Sequence, residues 1–307
     1  TQEHSSAASD VYKRQVLFGG DSDEKEISKL SADSIINNID TTKFDAQLLD
    51  LNNLNLKEVD KDTVFFIAVH GFGGEDGQVQ DLLSKNGYRF TGSDHESTKK
   101  CWDKVLSKEI LIQNNINTPK FITIDKNENL NLNDEFFSEI TEYFVKPAKN
   151  GSSLGVSRVT NLNDLESAVN DAKKFSDQVI IEECYGDAEY TVAILNGIAL
   201  EPLEILPDPK QSFYDYKAKY LSGETKKVEI IDKALAEELK AMAIKAFYSH
   251  DCNTWGRVDF VTKGESIGVL EINTVPGFTE KSLVPLAAKK SGINYQQLIT
   301  EIIEDAL

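Results

Sequence analysis

Residues 64–71 have the sequence VFFIAVHG, and this stretch decides the class of fold. Its apolar run is continuous rather than alternating, which predicts a parallel strand buried on both faces. Earlier, residues 16–20 have the sequence VLFGG, and the apolar side chains of residues 23–36 then follow a helical spacing. Strands that alternate with helices predict an N-terminal α/β domain with a doubly wound parallel sheet. Ligands of such sheets bind beyond the carboxyl ends of the strands, where both glycine turns fall.

The composition excludes two classes of partner. The chain has 307 residues, with 33 Lys and Arg against 51 Asp and Glu, and the resulting formal net charge of -18 disfavours binding to nucleic acid. No stretch approaches the roughly 18 uncharged apolar residues of a membrane helix. Three widely spaced cysteines fit neither a disulfide framework nor a zinc cluster, which favours a reducing cytoplasm.

The predicted elements divide the chain into three domains after a short leader. Residues 1–14 contain no apolar signal segment and are predicted to be a non-native or disordered leader. An α/β domain is expected over residues 15–97 and a small α+β domain over residues 98–184. A third domain is expected over residues 185–307.

The strongest chemical motif is a predicted hairpin over residues 255–273. Arg257 and Asp259 share one face of its first strand, and Glu271 and Asn273 share one face of its second. If the strands pair, three oxygen-bearing side chains and one guanidinium converge. Asp, Glu and Asn offer the oxygen ligands that Mg²⁺ prefers. The alternative is a hairpin whose polar face is only solvated.

Phosphate binding has weaker signals. The chain has no GxxxxGK[ST] run, but residues 151–155, GSSLG, offer backbone N–H groups and two hydroxyls in a turn. Lys146 ends a predicted strand just before this turn, and Lys104 lies on a predicted helix, so either ammonium could reach a phosphate. The alternatives are an ordinary loop and solvated surface lysines.

Other polar residues fall at element ends. Glu182 closes a predicted strand and Glu189 follows seven residues later, so a carboxylate is available to ribose hydroxyls and nearby backbone to an adenine edge. Glu24 follows the first glycine turn, where a helix N-terminus favours acids regardless of function. His70 ends the buried strand, which is compatible with either a functional or a hydrogen-bonded core histidine.

Taken together, these residues resemble the D-alanine:D-alanine ligase family of the ATP-grasp superfamily. The matching runs keep the family's order and spacing over nearly the whole chain from about Val16 onwards. They are residues 19–28, 70–77, 146–155, 213–220, 255–259 and 271–283.

The resemblance implies a three-domain ATP-grasp architecture, combining α/β and α+β domains, in which ATP lies between the central and C-terminal domains. It implies ligation of two D-alanines through an acyl phosphate, for peptidoglycan precursor synthesis. The nucleotide contacts it implies are Lys104, Lys146, Ser153, Glu182, Tyr185, Glu189 and Lys219. Two Mg²⁺ ions, with Mn²⁺ as the alternative, are implied at Asp259, Glu271 and Asn273.

The resemblance also implies the roles of the substrate-binding residues. Glu24 and His70 are expected to hold the first D-alanine, with Glu24 on its ammonium, and Ser282 with Leu283 the carboxylate of the second. The oxyanion donors are expected to be Arg257 and the backbone N–H of Gly277. Ser152 and Tyr220 are expected to link the loops to Glu24.

Two alternatives follow from the same resemblance. A D-alanine:D-lactate ligase is disfavoured by Tyr220, because the resembling lactate enzymes carry another residue there. A catalytically silent nucleotide-binding protein is disfavoured by the intact Arg257 and Glu271. Glu183 and Cys184 depart from the family's usual lysine and aromatic residue, which bears on the adenine contacts. D-alanine is the expected substrate, and a homodimer is the expected assembly.

Overall fold

The computed structural model describes residues 12–151, 154–206 and 225–307, which form three sheets. The strands are β1 (Tyr12–Phe18), β2 (Phe44–Asp50), β3 (Val64–Ile67), β4 (Arg89–Phe90), β5 (Phe121–Asp125), β6 (Tyr143–Pro147), β7 (Ser157–Val159), β8 (Gln178–Glu183), β9 (Ala188–Leu195), β10 (Ile198–Ala199), β11 (Leu203–Leu206), β12 (Lys226–Glu229), β13 (Trp255–Lys263) and β14 (Ser266–Asn273). The helices are α1 (Lys25–Asn38), α2 (Gln78–Lys85), α3 (His95–Trp102), α4 (Lys104–Gln113), α5 (Phe136–Glu139), α6 (Leu165–Ala172), α7 (Lys233–Ser249), α8 (Leu283–Lys290) and α9 (Tyr295–Asp305).

The first sheet has the strand order β2-β1-β3-β4, and all of its pairings are parallel. All four residues of β3 are buried, as its continuous apolar run predicts. Helix α1 follows the first glycine turn and packs on β1 and β2. The predicted N-terminal α/β domain with a parallel sheet is therefore confirmed.

The first strand begins earlier than predicted. Tyr12, Lys13 and Arg14 pair in parallel with residues 44–46 of β2, so their assignment to a leader is wrong. Arg14 is buried, and its guanidinium lies 5.2 Å from the centre of the Phe44 ring. The long alkyl stem and the aromatic partner allow this charged residue to lie in a buried strand. Its polar side chain is the reason that the sequence does not predict a strand here.

The central sheet is antiparallel, with the order β5-β8-β6-β7. It has its own core, in which Tyr143 and Val145 of β6 pack with Val179 of β8 and Leu165 of α6. The independent core is that of a small α+β unit. It begins at β5, after the two helices that the sequence groups with it.

The third sheet is antiparallel, with the order β12-β11-β9-β13-β14 and β10 added beside β9. Helix α7 packs on β9, β13 and β14. Helices α3 and α4, which come before this sheet in the chain, also pack on β14. Cys101 and Leu111 accordingly share a core with Val258 and Phe260. Residues 98–113 therefore contribute their apolar side chains to the core of the third sheet.

An aromatic cluster joins the first and third sheets. The Phe278 ring centre lies 4.9 Å from that of Trp255 at the start of β13, and 5.5 Å from that of Phe66 in β3. Helices α8 and α9 contribute Val284 and Ile299 to the same core. Residues at the C-terminal end thus anchor the N-terminal sheet. Within residues 12–151, 154–206 and 225–307, no helix is both long enough and apolar enough to span a bilayer.

This packing predicts the effect of truncating Phe278, which is 1% exposed. We expect Phe278→Ala to lower the free energy of unfolding by about 3–5 kcal/mol, because it removes a ring shared by two sheets. The measurement is the midpoint of urea unfolding. Phe72→Ala is the matched control, because Phe72 is 57% exposed and its loss should change stability by less than about 0.5 kcal/mol. Similar losses in both variants would contradict the shared core.

Candidate active site

A cleft of about 740 Å³ is lined by residues of the second and third sheets, of helices α1, α3 and α4, and of the turn after β3. It brings together most of the site residues that the sequence predicts. Those that line it are Glu24, Lys104, Lys146, Glu182, Tyr185, Glu189, Arg257, Glu271, Asn273, Gly277, Ser282 and Leu283. Ser152, Ser153, Lys219 and Tyr220 lie outside the described residues. Asp259 and His70 are described but do not line the cleft.

The predicted hairpin is confirmed by the pairing of β13 with β14. Arg257 lies opposite Asn273, and Asp259 lies opposite Glu271. The Asp259 carboxylate is buried and accepts hydrogen bonds from Arg257 Nε at 2.8 Å, Arg257 Nη2 at 2.7 Å and Thr191 Oγ1 at 2.6 Å. Asp259 thus fixes the direction of the Arg257 guanidinium, while Glu271 and Asn273 line the cleft.

Carboxylates are concentrated near this hairpin. Glu75, in the turn after β3, also lines the cleft. Its pKa is raised to about 8, first by burial and then by the negative charges of Glu24 and Glu271. A bound cation would relieve this repulsion. Among the described residues, no three His, Cys, Asp or Glu side chains form a metal cluster. The predicted set, Asp259, Glu271 and Asn273, consists of two carboxylates and one amide. Mg²⁺ commonly combines one or two carboxylates with substrate phosphates and water.

A buried carboxylate is held between two lysines at the central part of the cleft. Glu182 Oε1 lies 2.6 Å from Lys146 Nζ, and Glu182 Oε2 lies 2.7 Å from Lys108 Nζ. Lys108 and Glu182 are both 2% exposed. Burial opposes the charge of Glu182, but the two ammonium groups outweigh burial and lower its pKa.

Sequence reasoning missed Lys108, although a signal was present. It follows Lys104 by four residues, which places both lysines on one face of helix α4. Both line the cleft. Lys108 Nζ also lies 2.5 Å from Thr118 Oγ1, so this ammonium has a carboxylate and a hydroxyl as partners. Its burial required partners from distant segments, which the spacing alone does not reveal.

Lys104 and the glycine loop are positioned together. Asp103 begins helix α4, because its carboxylate accepts the backbone N–H groups of Val105 and Leu106, both at 3.2 Å. The Lys104 side chain then reaches the carbonyl of Asn150 at 2.7 Å, at the start of the loop.

The glycine loop also meets Glu24. A Cβ atom added to Gly151 would lie 3.1 Å from Glu24 Oε2, so glycine allows the loop to approach this carboxylate. Glu24 itself is buried and lines the cleft. Gly151, at the start of the loop, thus lies next to Glu24, while the predicted link through Ser152 stays a prediction.

His70 lies in a buried network behind the cleft. Its Nε2 is 2.8 Å from Ser31 Oγ, and its Nδ1 is 2.9 Å from the carbonyl oxygen of Val275. Burial lowers the pKa of His70 to about 4, so the ring is neutral at pH 7. The backbone N–H of Phe278 donates to the same Ser31 hydroxyl at 3.1 Å. The ring therefore connects α1 and β3 to the segment after β14, and its contact with substrate stays a prediction.

Residues 110–304 match the family model described as the D-ala D-ala ligase C-terminus. The chain belongs to the D-alanine–D-alanine ligase family. It is 36% identical over 295 residues to the D-alanine–D-alanine ligase of Methylacidiphilum infernorum, covering 94% of this chain and 93% of that protein. It is 37% identical over 298 residues to the D-alanine–D-alanine ligase of Saccharophagus degradans, covering 95% of this chain and 93% of that one.

Solved structures agree with this membership. The D-alanine–D-alanine ligase from Bacillus anthracis complexed with ATP superposes with a TM-score of 0.85 and 30% identity, covering 96% of this chain and 97% of that one. The VanG D-Ala:D-Ser ligase from Enterococcus faecalis superposes with a TM-score of 0.82 and 26% identity, covering 97% of this chain and 100% of that one. The predicted ATP-grasp fold is therefore confirmed.

Glu183 and Cys184, at the expected adenine end, have different surroundings. Glu183 does not line the cleft, and its carboxylate pairs with Lys263 at 2.8 Å. Cys184 lines the cleft beside Tyr185, and burial raises the pKa of its thiol. Glu183 is thus accommodated by an ion pair and Cys184 by burial.

The paired lysines predict the effect of removing one of them. We expect Lys108→Met to lower the free energy of unfolding by about 3 kcal/mol, because Glu182 would keep a buried charge with one partner fewer. Urea unfolding measures this change. The control is Lys126→Met, because Lys126 is 57% exposed and pairs with Asp177 at 2.8 Å on the surface. Its loss should cost less than about 1 kcal/mol. Equal losses would show that the buried triad has no special importance.

Proposed function

We propose that this chain joins two D-alanines to D-alanyl-D-alanine at the expense of ATP, in the synthesis of peptidoglycan precursors. One observation carries the proposal: a single cleft holds Lys104 and Lys146 on one wall and Arg257, Glu271 and Asn273 on another, in a chain of this family. The similar Bacillus anthracis ligase was solved with ATP, which supports ATP as the nucleotide. A reaction that consumes ATP is best suited to the cytoplasm, which we propose as its compartment.

Lysines of the central region are suited to the phosphates of ATP. Lys104 and Lys146 line the cleft near the glycine loop, and a lysine ammonium is a common partner of phosphate oxygens. Glu182 orients Lys146 through its 2.6 Å ion pair. These groups would neutralise the phosphates without taking part in bond formation.

The first D-alanine would lie between Glu24 and Arg257. Glu24 is the buried carboxylate at the N-terminal wall, where it would accept the substrate ammonium. The substrate carboxylate would then attack the γ-phosphorus, forming a new P–O bond while the bond to the ADP oxygen breaks. The resulting acyl phosphate carries the carbonyl that the second amine attacks, and inorganic phosphate leaves.

Arg257 is positioned to stabilise the oxyanion that this second attack produces. Its hydrogen bonds to Asp259, at 2.8 Å, 3.2 Å and 2.7 Å, hold the guanidinium before substrate arrives. Gly277 lines the same cleft and offers a backbone N–H. Donors that are oriented in advance need little reorganisation in the transition state.

The donor set of the hairpin fits Mg²⁺ in chemical type. Asp259, Glu271 and Asn273 would hold the ions, and the bound metal would neutralise charge on the transferring phosphate. In the present structure the Asp259 carboxylate is already engaged by Arg257 and Thr191. Glu271 and Asn273 are therefore the members of the set that face the cleft.

Release of phosphate on mixing the protein with ATP, Mg²⁺ and D-alanine tests the proposal directly. L-alanine, D-serine and D-lactate are the comparison substrates, and mass spectrometry identifies each product. We expect phosphate and D-alanyl-D-alanine in equal amounts. Nucleotide binding without phosphate release would favour a silent nucleotide-binding protein, and a larger yield of ester from D-lactate would favour a depsipeptide ligase.

We expect Glu271→Gln to reduce kcat by at least about 100-fold with little change in thermal stability. The substitution keeps the shape of the side chain and removes one negative charge from the proposed metal site. Steady-state phosphate release at several Mg²⁺ concentrations measures the effect. Glu265→Gln, in the turn of the same hairpin, is the control, because Glu265 is exposed and does not line the cleft. Full activity of Glu271→Gln would contradict the metal assignment.

Arg257→Ala should lower kcat by about 100-fold or more, while the KM for ATP changes much less. The reason is that an oxyanion donor acts mainly where charge develops in the transition state. Arg257→Lys keeps the positive charge but loses the forked pair to Asp259, so its kcat should lie between that of the wild type and that of Arg257→Ala. A rise in the KM for ATP with unchanged kcat would instead make Arg257 a ground-state contact of the nucleotide.

A further inference from the structure

Lys108, Glu182 and Lys146 form a triad whose charges do not cancel. Glu182 Oε2 lies 2.7 Å from Lys108 Nζ, and Glu182 Oε1 lies 2.6 Å from Lys146 Nζ. In the part of the chain that the structure describes, neither lysine forms an ion pair with another carboxylate. One carboxylate between two ammonium groups leaves one positive charge in excess, in a protein whose net charge is strongly negative.

The two lysines differ in how far they reach into the cleft. Both line it, but the Lys108 side chain is 3% exposed, whereas that of Lys146 is 12% exposed. Lys146 also lies near the end of β6, just before the glycine loop. Lys146 is therefore the lysine that is better placed to meet an anion, and Lys108 is the buried partner of Glu182.

Lys108 is anchored to the third sheet through Thr118. The Lys108 ammonium donates to Thr118 Oγ1 at 2.5 Å, and the Thr118 hydroxyl donates to the carbonyl oxygen of Val269 in β14 at 2.8 Å. Glu182, in contrast, belongs to β8 of the central sheet. Lys108 thus fixes the Glu182 carboxylate relative to β14, the strand that also carries Glu271.

Burial makes the charges of the triad depend on one another. Burial lowers the pKa of Lys108, and the Glu182 carboxylate opposes this shift. Without Lys108, the buried carboxylate would keep Lys146 as its one ammonium partner, and the charge of Lys146 would then be cancelled. A neutral pair attracts a phosphate group much less than a group with an excess positive charge does.

We propose that Lys108 is a positioning residue for the nucleotide: it neutralises Glu182 and thereby leaves the charge of Lys146 available to a phosphate of ATP. This inference rests on the proposed function, in which Lys146 binds the phosphates. In this role Lys108 acts through Glu182 and Lys146 and forms no bond to ATP. Removing Lys108 and Glu182 together should therefore restore the charge that Lys146 presents to the nucleotide.

A double-mutant cycle tests the assignment, because it measures the effect of Lys108 with and without Glu182. The four proteins are the wild type, Lys108→Met, Glu182→Gln and the variant with both substitutions. Calorimetry without amino acid substrate gives the Kd of ATP in the presence of Mg²⁺, and the Kd of adenosine, which has no phosphate. The matched control is Lys126→Met, because Lys126 is 57% exposed, pairs with Asp177 and does not line the cleft.

We expect Lys108→Met to raise the Kd of ATP by roughly 10- to 100-fold, in line with the loss of one charged contact. In the Glu182→Gln background, the same substitution should change this Kd by less than about 3-fold. The Kd of adenosine should change much less than that of ATP. Lys108→Arg, which keeps the charge, should preserve most of the affinity, and Lys126→Met should leave it unchanged.

Three results would overturn the assignment. An unchanged Kd of ATP in Lys108→Met would show that phosphate binding does not depend on Lys108. An equal rise in both backgrounds would show that Lys108 does not act through Glu182, and an equal loss for ATP and adenosine would show a structural role only.

Two further measurements keep these outcomes separate from other failures. If Lys108→Met does not fold, Lys108→Gln takes its place in the cycle, because its amide removes the charge and still offers a donor to the buried carboxylate. If the wild type binds ATP but releases no phosphate with D-alanine, the proposed ligase reaction fails, while the binding cycle still tests Lys108. If the wild type does not bind ATP, both proposals fail.

Discussion

The pairing of β13 with β14 is the constraint on which the candidate site depends. Its register places Arg257 opposite Asn273 and Asp259 opposite Glu271. Between these polar positions, Val258 and Ile272 are buried in the core that α7 covers. A slip of one residue would turn the apolar side chains outward and the polar ones inward. The hydrophobic core therefore maintains the register, and the register maintains the arrangement of charged groups.

Docking of the first sheet completes the cleft. Phe278, Trp255 and Phe66 form the aromatic contact between the sheets, and the hydroxyl of Ser31 accepts the backbone N–H of Phe278 at 3.1 Å. Because Ser31 belongs to α1, this packing also determines the position of Glu24, which lies at the start of the same helix and lines the cleft. Burial far from the reacting groups thus sets the position of a proposed substrate ligand.

The charges in the cleft are divided between its walls. Glu24, Glu75 and Glu271 form a negative region, which is suited to an ammonium group and to cations. Lys227 places an ammonium group beside the segment that leads into α8, and Arg257 adds a guanidinium that is paired with Asp259. On the central wall, the charge of Glu182 is balanced by two lysines. The proposed reaction requires all three environments, because it combines phosphates, an ammonium group and two carboxylates in one space.

The sequence by itself determined the parallel α/β start, the strands of the hairpin at the candidate site and twelve of the residues that line the cleft. Local patterns carry these features: a continuous apolar run marks β3, and alternation places Arg257 and Asp259 on one face. Only the tertiary structure decided which charges are paired. Lys108 meets Glu182 from a different element, and Asp259 is engaged by Arg257 rather than open to the cleft. Contacts of this kind depend on how segments that are far apart in the sequence pack together. Residue type and spacing along the chain do not specify which side chains then meet.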